Sequence, residues 1–295
     1  MKGGERKLED KKIVPFLLLI IGITLKVNKV NALTIQENTV TTNTGYIMSK
    51  EDYETLSQKY SDLIIDNTPE KELKILTSKN TTLLNSEKKY IVTDYFTDSL
   101  GNILLSTDKE VSEIIAKNIS NNNDITTYGN SGNTFHQTAS KVIVIDTYYT
   151  GSEYFTTLTA DWYTTPKIKS YDIMAIRWTN GNINVTDATG IQVYAYQNSI
   201  NYSFNGNNMV NKSNGIGISM NLVDDGSDYA LALYVHSKKN GNTYYGSYQH
   251  AIKTLTLAQS KNYTFSNSGL GGVILFNTTS TESYYDNMQG VTITS

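Results

Sequence analysis

The 295-residue chain contains no cysteine, which excludes a disulfide framework and a thiolate nucleophile. Histidine is scarce, and His136, His236 and His250 form neither H-E-x-x-H nor another zinc spacing. The phosphate-binding motif G-x-G-x-x-G and the nucleophile motif G-x-S-x-G are also absent. The short run GIG at Gly215–Gly217 lacks a strand-to-helix context, so close strand packing explains it better. No sequence motif therefore indicates an enzyme.

The N-terminus has the order of a secretory signal. Residues 1–12 carry five Lys or Arg, the apolar run Ile13–Leu25 follows, and Val30-Asn31-Ala32 is typical of a signal-peptidase site. We therefore predict a signal peptide over residues 1–32, cleaved after Ala32, and a secreted, extracellular protein. The run is shorter than the roughly 20 residues of a membrane span, so no stable transmembrane segment is expected after cleavage. An uncleaved signal anchor is the alternative, because three acidic residues in the basic segment are atypical.

Charge narrows the classes of partner. Residues 1–32 hold seven Lys or Arg and three Asp or Glu, so 18 basic and 25 acidic residues remain and the mature net charge is −7. Because no basic patch dominates, we do not expect nucleic acid as a partner. An exported chain without disulfides is typical of a Gram-positive bacterium.

The composition and turn pattern predict a mainly β protein. The chain has 22 Tyr against 7 Phe, and Tyr suits half-buried strand positions. Eleven short strand-like segments lie after residue 136, separated by Asn- and Gly-containing turns. This spacing predicts an antiparallel β-sandwich or jelly-roll-like C-terminal domain over residues 136–295.

The residues before this domain have a different pattern. Residues 33–118 read as a small acidic α+β region, with helix starts at Ser49 and Thr68. A further helix is expected after Thr107, with Val111, Ile114 and Ile115 facing inward. Residues 119–135 are rich in Asn, Ser and Gly, so we predict a linker there.

The stretch Leu158–Trp178 holds both tryptophans of the chain. Strand alternation places Trp162 and Trp178 on faces that include aliphatic residues, so the structural interpretation is two core tryptophans in neighbouring strands. The alternative is an aromatic platform for sugar rings, at which the charged side chains facing water bind hydroxyl groups. The candidate ligand-binding residues are Asp161, Trp162, Lys167, Arg177 and Trp178.

Acidic residues offer two further hypotheses. Asp224, Asp225 and Asp228 surround a glycine turn and are candidate Ca²⁺ ligands, although their spacing is not that of an EF-hand and a solvated hairpin loop is the simpler interpretation. A glycosidase needs two carboxylates about 5–10 Å apart across a cleft. The available acids lie near strand ends or loops, and the sequence does not pair them: Asp146, Glu153, Asp161 and Asp172. No catalytic residue or other cofactor is assigned.

Several short segments carry a resemblance to a known group of proteins. They are MSKEDYETL, DWYTTPKIKSYDIMAIRW, GIGISMNLVD, YQHA and YYDNMQGV. With the signal peptide, the mature chain resembles uncharacterised secreted proteins of Gram-positive (Firmicutes) bacteria. The resemblance implies export and a β-sandwich, and it brings no catalytic residues.

Three functions remain open at this point. The first hypothesis is a non-enzymatic extracellular module, adhesin- or lectin-like, that binds a glycan or an envelope polymer. The second is a β-pore-forming toxin, which would need an amphipathic hairpin with strands of about 9–11 residues. The third is a glycan-active hydrolase.

Overall fold

The computed structural model describes residues 38–120, 126–128, 134–223, 227–266 and 273–295. Leu33–Ser295 forms one compact unit. The predicted signal peptide over residues 1–32 lies outside the described residues.

Strands account for most of the regular structure. In chain order they are β1 Thr39–Thr41, β2 Ile47–Ser49, β3 Thr82–Thr97, β4 Ile103–Val111, β5 Thr126–Tyr128, β6 Thr134–Tyr149, β7 Tyr154–Trp162, β8 Tyr171–Trp178, β9 Val185–Tyr194, β10 Asn198–Ser203, β11 Met209–Lys212, β12 Gly215–Asn221, β13 Ala230–Ser237, β14 Thr243–Gln249, β15 Tyr263–Phe265, β16 Ile274–Phe276 and β17 Gln289–Thr294. The helices are α1 Lys50–Ser57, α2 Asp62–Asn67, α3 Glu70–Leu76, α4 Glu113–Ser120, α5 Leu257–Ser260 and α6 Thr279–Glu282.

Two large antiparallel sheets face each other, which confirms the predicted mainly β, sandwich-like fold. The eight-stranded sheet has the order β10-β9-β13-β7-β6-β3-β4, with β5 paired to β6. The five-stranded sheet has the order β11-β12-β8-β14-β17. Between them lies the main apolar core, to which β7 contributes Leu158 and Ala160 and β8 contributes Met174 and Ile176. Burying each large apolar side chain contributes roughly 1.5–3 kcal/mol.

The region before the predicted linker joins the same sheet as the strands after it. Strand β3 pairs with β6 from Thr82 opposite Tyr149 to Thr97 opposite Phe135. The hairpin β3–β4 therefore extends the sandwich. The linker predicted over residues 119–135 falls largely outside the described residues, and the strands on its two sides are hydrogen-bonded to each other.

Helices α1 to α3 cover the outer face of the eight-stranded sheet. Ser49 caps α1 by accepting a hydrogen bond from the Asp52 backbone N–H, as its sequence position predicts. Ile65 and Leu73 pack in one cluster with Val144 and Phe155 of the sheet. Both faces of this sheet are thus buried along its central strands.

The helix expected after Thr107 differs from the structure. Residues up to Val111 belong to β4, and α4 begins only at Glu113. Ile114 and Ile115 are 72% and 50% exposed, so they do not face inward. Strand β4 extends past Thr107, the predicted capping residue, because it pairs with β3 as far as Val111.

The C-terminal segment covers the outer face of the five-stranded sheet. Tyr263 and Phe265 of β15 pack on Ile173 and Ala175 of β8. This contact needs the glycines of β12, since a Cβ added at Gly217 would lie 2.3 Å from the Tyr263 hydroxyl oxygen. Strand β8 is consequently covered on both faces.

Candidate binding groove and buried polar clusters

Neither tryptophan of the Leu158–Trp178 stretch presents its ring to solvent. Trp162 is 4% exposed and Trp178 is 3% exposed. Both lie in the core between the two sheets, as the structural interpretation of their strands predicts. An exposed aromatic platform is therefore not formed by these two side chains.

The charged residues of the stretch correct the expectation that they face water. Asp161 is 7% exposed and Arg177 is 2% exposed, while Lys167 is exposed on the connecting loop. The alternation of side chains along β7 and β8 correctly places Asp161 and Arg177 on the face opposite the tryptophans. Alternation alone does not show that this opposite face is also covered by other elements. Burial raises the pKa of Asp161 to about 6, against a hydrogen bond from Ser61 that lowers it.

The five predicted ligand-binding residues do not share one surface. Asp161 faces helices α1 to α3, and Arg177 lies on the outer face of the other sheet, 3.7 Å from the centre of the Tyr245 ring. The Trp178 indole N–H donates to the Gly181 carbonyl oxygen at 2.6 Å. These contacts are structural, and no single ligand can touch all five side chains.

Trp162 leads instead to a buried group that we call the inner polar cluster: Lys141, Asp172, Tyr248, His250 and Asp286. The Trp162 indole N–H donates to the Tyr248 hydroxyl oxygen at 2.8 Å, and that hydroxyl donates to the Asp172 carboxylate. The His250 Nδ1 lies 3.0 Å from both Asp172 carboxylate oxygens. This cluster could not be predicted from the sequence, because its members lie up to 145 residues apart.

A second group, the outer polar cluster, lies between the N-terminal helices and the eight-stranded sheet and comprises Tyr60, Glu72, Asp146, Tyr148 and His236. The Tyr60 hydroxyl donates to Asp146 and lies 3.0 Å from the Tyr148 hydroxyl. The His236 Nε2 lies 2.8 Å from a Glu72 carboxylate oxygen. Polar contacts thus fix the helices on the sheet.

The acids considered for a hydrolase are dispersed. Asp146 and Asp172 are both fully buried, the first in the outer cluster and the second in the inner cluster. Glu153 contacts His236 with its Oε1 at 3.3 Å from Nδ1. No two of the four acids face each other across an open cleft within the part of the chain that the structure describes.

The structure adds no further ligand to the candidate Ca²⁺ site among the residues that it describes. Asp224 and Asp225 lie outside the described residues, and Asp228 adopts a positive φ of 65°. Among the residues that the structure describes, no three His, Asp or Glu side chains are grouped so as to hold a metal ion.

An open groove of about 510 Å³ lies beside the last strand of the five-stranded sheet. Its walls come from β11, the end of α5, β15 and the residue after β16. Asn211, Lys212, Thr264 and Asn277 expose their side chains there. The lining residues are Met209, Val210, Asn211, Lys212, Lys261, Tyr263, Thr264 and Asn277.

The groove presents hydrogen-bonding side chains, and two of these side chains are fixed by hydrogen bonds to neighbouring residues. The Lys261 ammonium donates to the Asn207 carbonyl oxygen, and the Asn277 amide donates to the Asn262 side-chain oxygen at 2.7 Å. No described strand pairs with the second edge of β11. The groove could not be predicted from the sequence, because its walls come from three separate segments of the chain.

No helix among the described residues is long and apolar enough to cross a membrane. Strand β7, which matches the length of a pore-forming strand, lies in the middle of the sheet between β6 and β13. Its residues Phe155 to Trp162 are all buried.

Comparisons with known proteins give distant structural similarity only. No family model and no curated protein matches the chain. The KRT10-binding region domain of the pneumococcal serine-rich repeat protein PsrP is 12% identical, with 57% of this chain and 87% of that one covered and a TM-score of 0.26. The C-terminal domain of the Streptococcus pyogenes antigen I/II-family protein AspA is 8% identical, with 55% and 80% covered and a TM-score of 0.25. The C-terminal domain of the Streptococcus agalactiae antigen I/II polypeptide BspA is 9% identical, with 55% and 79% covered and a TM-score of 0.22. Similarity at this level does not bear on what the chain binds.

Proposed function

We propose that the protein is a secreted, non-enzymatic binding module that holds a glycan in the groove beside β11. The observation that carries the proposal is the groove itself, an open cavity of about 510 Å³ lined by amide, hydroxyl and ammonium groups. Its volume is in the range of small-ligand sites. The export signal in the sequence supports an extracellular ligand.

The chemistry of the lining favours a hydroxyl-rich ligand. Asn211 and Asn277 each offer both a donor and an acceptor, which matches the mixed character of sugar hydroxyls. Lys212 and Lys261 are present and no acid lines the groove, although the mature chain is acidic overall. We therefore expect acidic sugars to bind more tightly than neutral ones, because they would neutralise this local charge.

A glycan array with the purified mature chain tests the proposal. We expect binding to a subset of glycans, reduced at least about tenfold, equivalent to ~1.4 kcal/mol, in the double variant Asn211→Ala/Lys212→Ala. The matched control is Lys79→Ala/Asn80→Ala, which removes the same two residue types from an exposed turn outside the groove. Absence of binding to every glycan, or equal loss in both double variants, would refute the proposal.

A further inference from the structure

Lys141 and Asp286 form a charged pair within the inner polar cluster, between the two sheets. The Lys141 Nζ lies 2.9 Å from the Asp286 Oδ2, and both side chains are fully buried. Lys141 is on the face of β6 that also carries Ala139, Ile143 and Ile145, which all belong to the apolar core. A lone lysine on such a face is costly unless it is paired.

The surroundings of the pair exclude water from the amine. The Lys141 Nζ lies 4.7 Å from the centre of the Trp162 ring and 5.3 Å from that of Tyr248. In this dry environment an ion pair is less stable, relative to a neutral amine and a neutral carboxylic acid, than it is in water. Transfer of one proton from Lys141 to Asp286 gives that neutral pair.

Backbone groups hold the carboxyl of Asp286 from its other oxygen. The His250 N–H donates to the Asp286 Oδ1 at 2.8 Å, and the Asp286 N–H donates to the His250 carbonyl oxygen at 2.9 Å. The two carboxyl oxygens therefore have different partners. Oδ2 faces the amine, and Oδ1 faces a fixed donor placed where negative charge would develop if the amine attacked the carbon.

From this geometry we propose that Lys141 and Asp286 condense to an intramolecular isopeptide bond. The Nζ lone pair attacks Cγ, forming the C–N bond, and the Cγ–Oδ2 bond breaks. Oδ2 leaves as water with two of the three protons of the original ammonium group, and the third stays on the amide nitrogen. Oδ1 becomes the amide oxygen, held by the His250 N–H. Nothing is oxidised or reduced, and no co-reactant is needed.

Two neighbouring features support the reaction. Burial raises the pKa of Asp286 to about 6 against the opposing charge of Lys141, and the nearby Asp108 carboxylate also raises it, so the protonated acid is easier to reach than for an ordinary aspartate. A cavity of about 190 Å³ is lined by Asp286 and by Gln249, whose Oε1 has no hydrogen-bond partner. The cavity gives the departing water a place to go.

The bond would join β6 to the segment before β17 and so tie the two sheets together. It would link residues 145 positions apart in the sequence. A covalent link of this span restricts the unfolded chain as a disulfide does. A protein without cysteine would thereby gain a cross-link that reducing conditions do not break.

Mass spectrometry of the whole purified chain, with its N-terminus determined by sequencing, tests the proposal. We expect a denatured mass lower than that of the sequence by one water, and a proteolytic digest with one branched peptide that contains Lys141 and Asp286. The exposed pair Lys71–Asp187, 2.6 Å apart, is the internal control and should give only linear peptides. A wild-type chain of full mass with Lys141 and Asp286 in separate linear peptides would overturn the proposal.

The variant Lys141→Arg locates the reacting amine. Arginine keeps the positive charge, but its delocalised guanidinium is a poor nucleophile that stays protonated. We expect full mass in this variant. A variant that is still one water lighter would place the loss elsewhere and overturn the assignment. If the variant does not fold, the branched peptide of the wild-type chain decides the question alone.

Discussion

The two faces of the eight-stranded sheet bury charged groups in different ways. On the inner face, Lys141 and Asp286 are both fully buried and are enclosed by aromatic rings. On the outer face, Glu72 is fully buried but its partner His236 also contacts Glu153, whose side chain is 23% exposed. The two charged groups of the inner pair contact each other directly and are both fully buried, whereas the outer pair is linked through Glu153 to solvent.

This difference decides what each pair can do. A charged pair that reaches solvent exchanges protons with it, so the outer pair responds to pH. A pair in a dry core is held in one geometry, which favours a reaction between its members. The same two kinds of side chain, a base and a carboxylate, thus give a titratable contact on one face and a cross-linking site on the other.

The largest effect on stability is expected from a substitution that breaks the inner pair. Lys141→Met should lower the free energy of unfolding by ~3–5 kcal/mol, because the buried Asp286 loses its partner. The loss would include that of the proposed cross-link. Urea denaturation checks the value, with Lys74→Met as control, since Lys74 pairs with Glu70 at the surface and should give no measurable change. Equal stability of the two variants would contradict the expectation.

A smaller loss is expected when the outer pair is broken. Glu72→Gln removes the carboxylate that His236 contacts and should cost ~1–3 kcal/mol. Chemical denaturation measures it, and Glu70→Gln on the exposed side of the same helix is the matched control. If Glu72→Gln destabilised the protein as much as Lys141→Met, the distinction between the dry and the solvent-connected pair would fail.

Tyr60→Phe probes the outer cluster without removing a charge. The variant deletes the hydroxyl that donates to Asp146, and we expect a loss of ~1 kcal/mol, because Tyr148 and Lys59 still lie near that carboxylate. Tyr196→Phe serves as control, since Tyr196 is 62% exposed. Thermal unfolding is a sufficient measurement. No difference between the two variants would show that the Tyr60 hydroxyl does not help to fix the helices.

The smallest expected effect depends on pH. Burial lowers the pKa of His236, but the hydrogen bond and charge of Glu72, aided by Glu153, outweigh it, so the pKa is raised above its ordinary value. The stabilisation is therefore fully present below about pH 6.5 and is lost as the pH rises through the raised pKa. Urea unfolding of wild type and His236→Asn should differ most in acid and converge at higher pH. A constant difference across that window would be inconsistent with this titration.

Capping residues and side-chain alternation in the sequence predicted helix starts and strand faces, because these features depend on neighbouring residues in the chain. Ser49 is an N-cap wherever its helix packs, and the alternation in β8 follows from strand geometry alone. The sandwich could be predicted because many short strands with turns between them have few other ways to bury their apolar faces. The burial of Trp162 and Trp178 followed from the same alternation.

Apolar residues on both faces of β8, Ile173 and Ala175 among them, indicated a strand covered on both sides, but the burial of its charged residue and of Asp161 on β7 could not be predicted from these patterns. Asp161 and Arg177 looked exposed because alternation places them opposite core residues, and only tertiary packing buries them. The pair Lys141–Asp286 and the groove at β11 depend on segments that are distant in sequence. No local signal in the sequence specifies which strands become neighbours, so sites of this kind appear only in three dimensions.

The position of the N-terminal helices has a consequence for the order in which the chain can fold. Helices α1, α2 and α3 have 8, 6 and 7 residues, fewer than the roughly 12–15 that an isolated helix needs to persist in water. Their contacts lie far along the chain, since Thr68 lies 2.7 Å from the Tyr234 hydroxyl, 166 residues later. During synthesis, the surface on which this first segment docks is incomplete until β13 has emerged. The docking of these helices should therefore be slow and late in folding, so a chain exported as we propose would still lack this cover on its sheet while it is being synthesised.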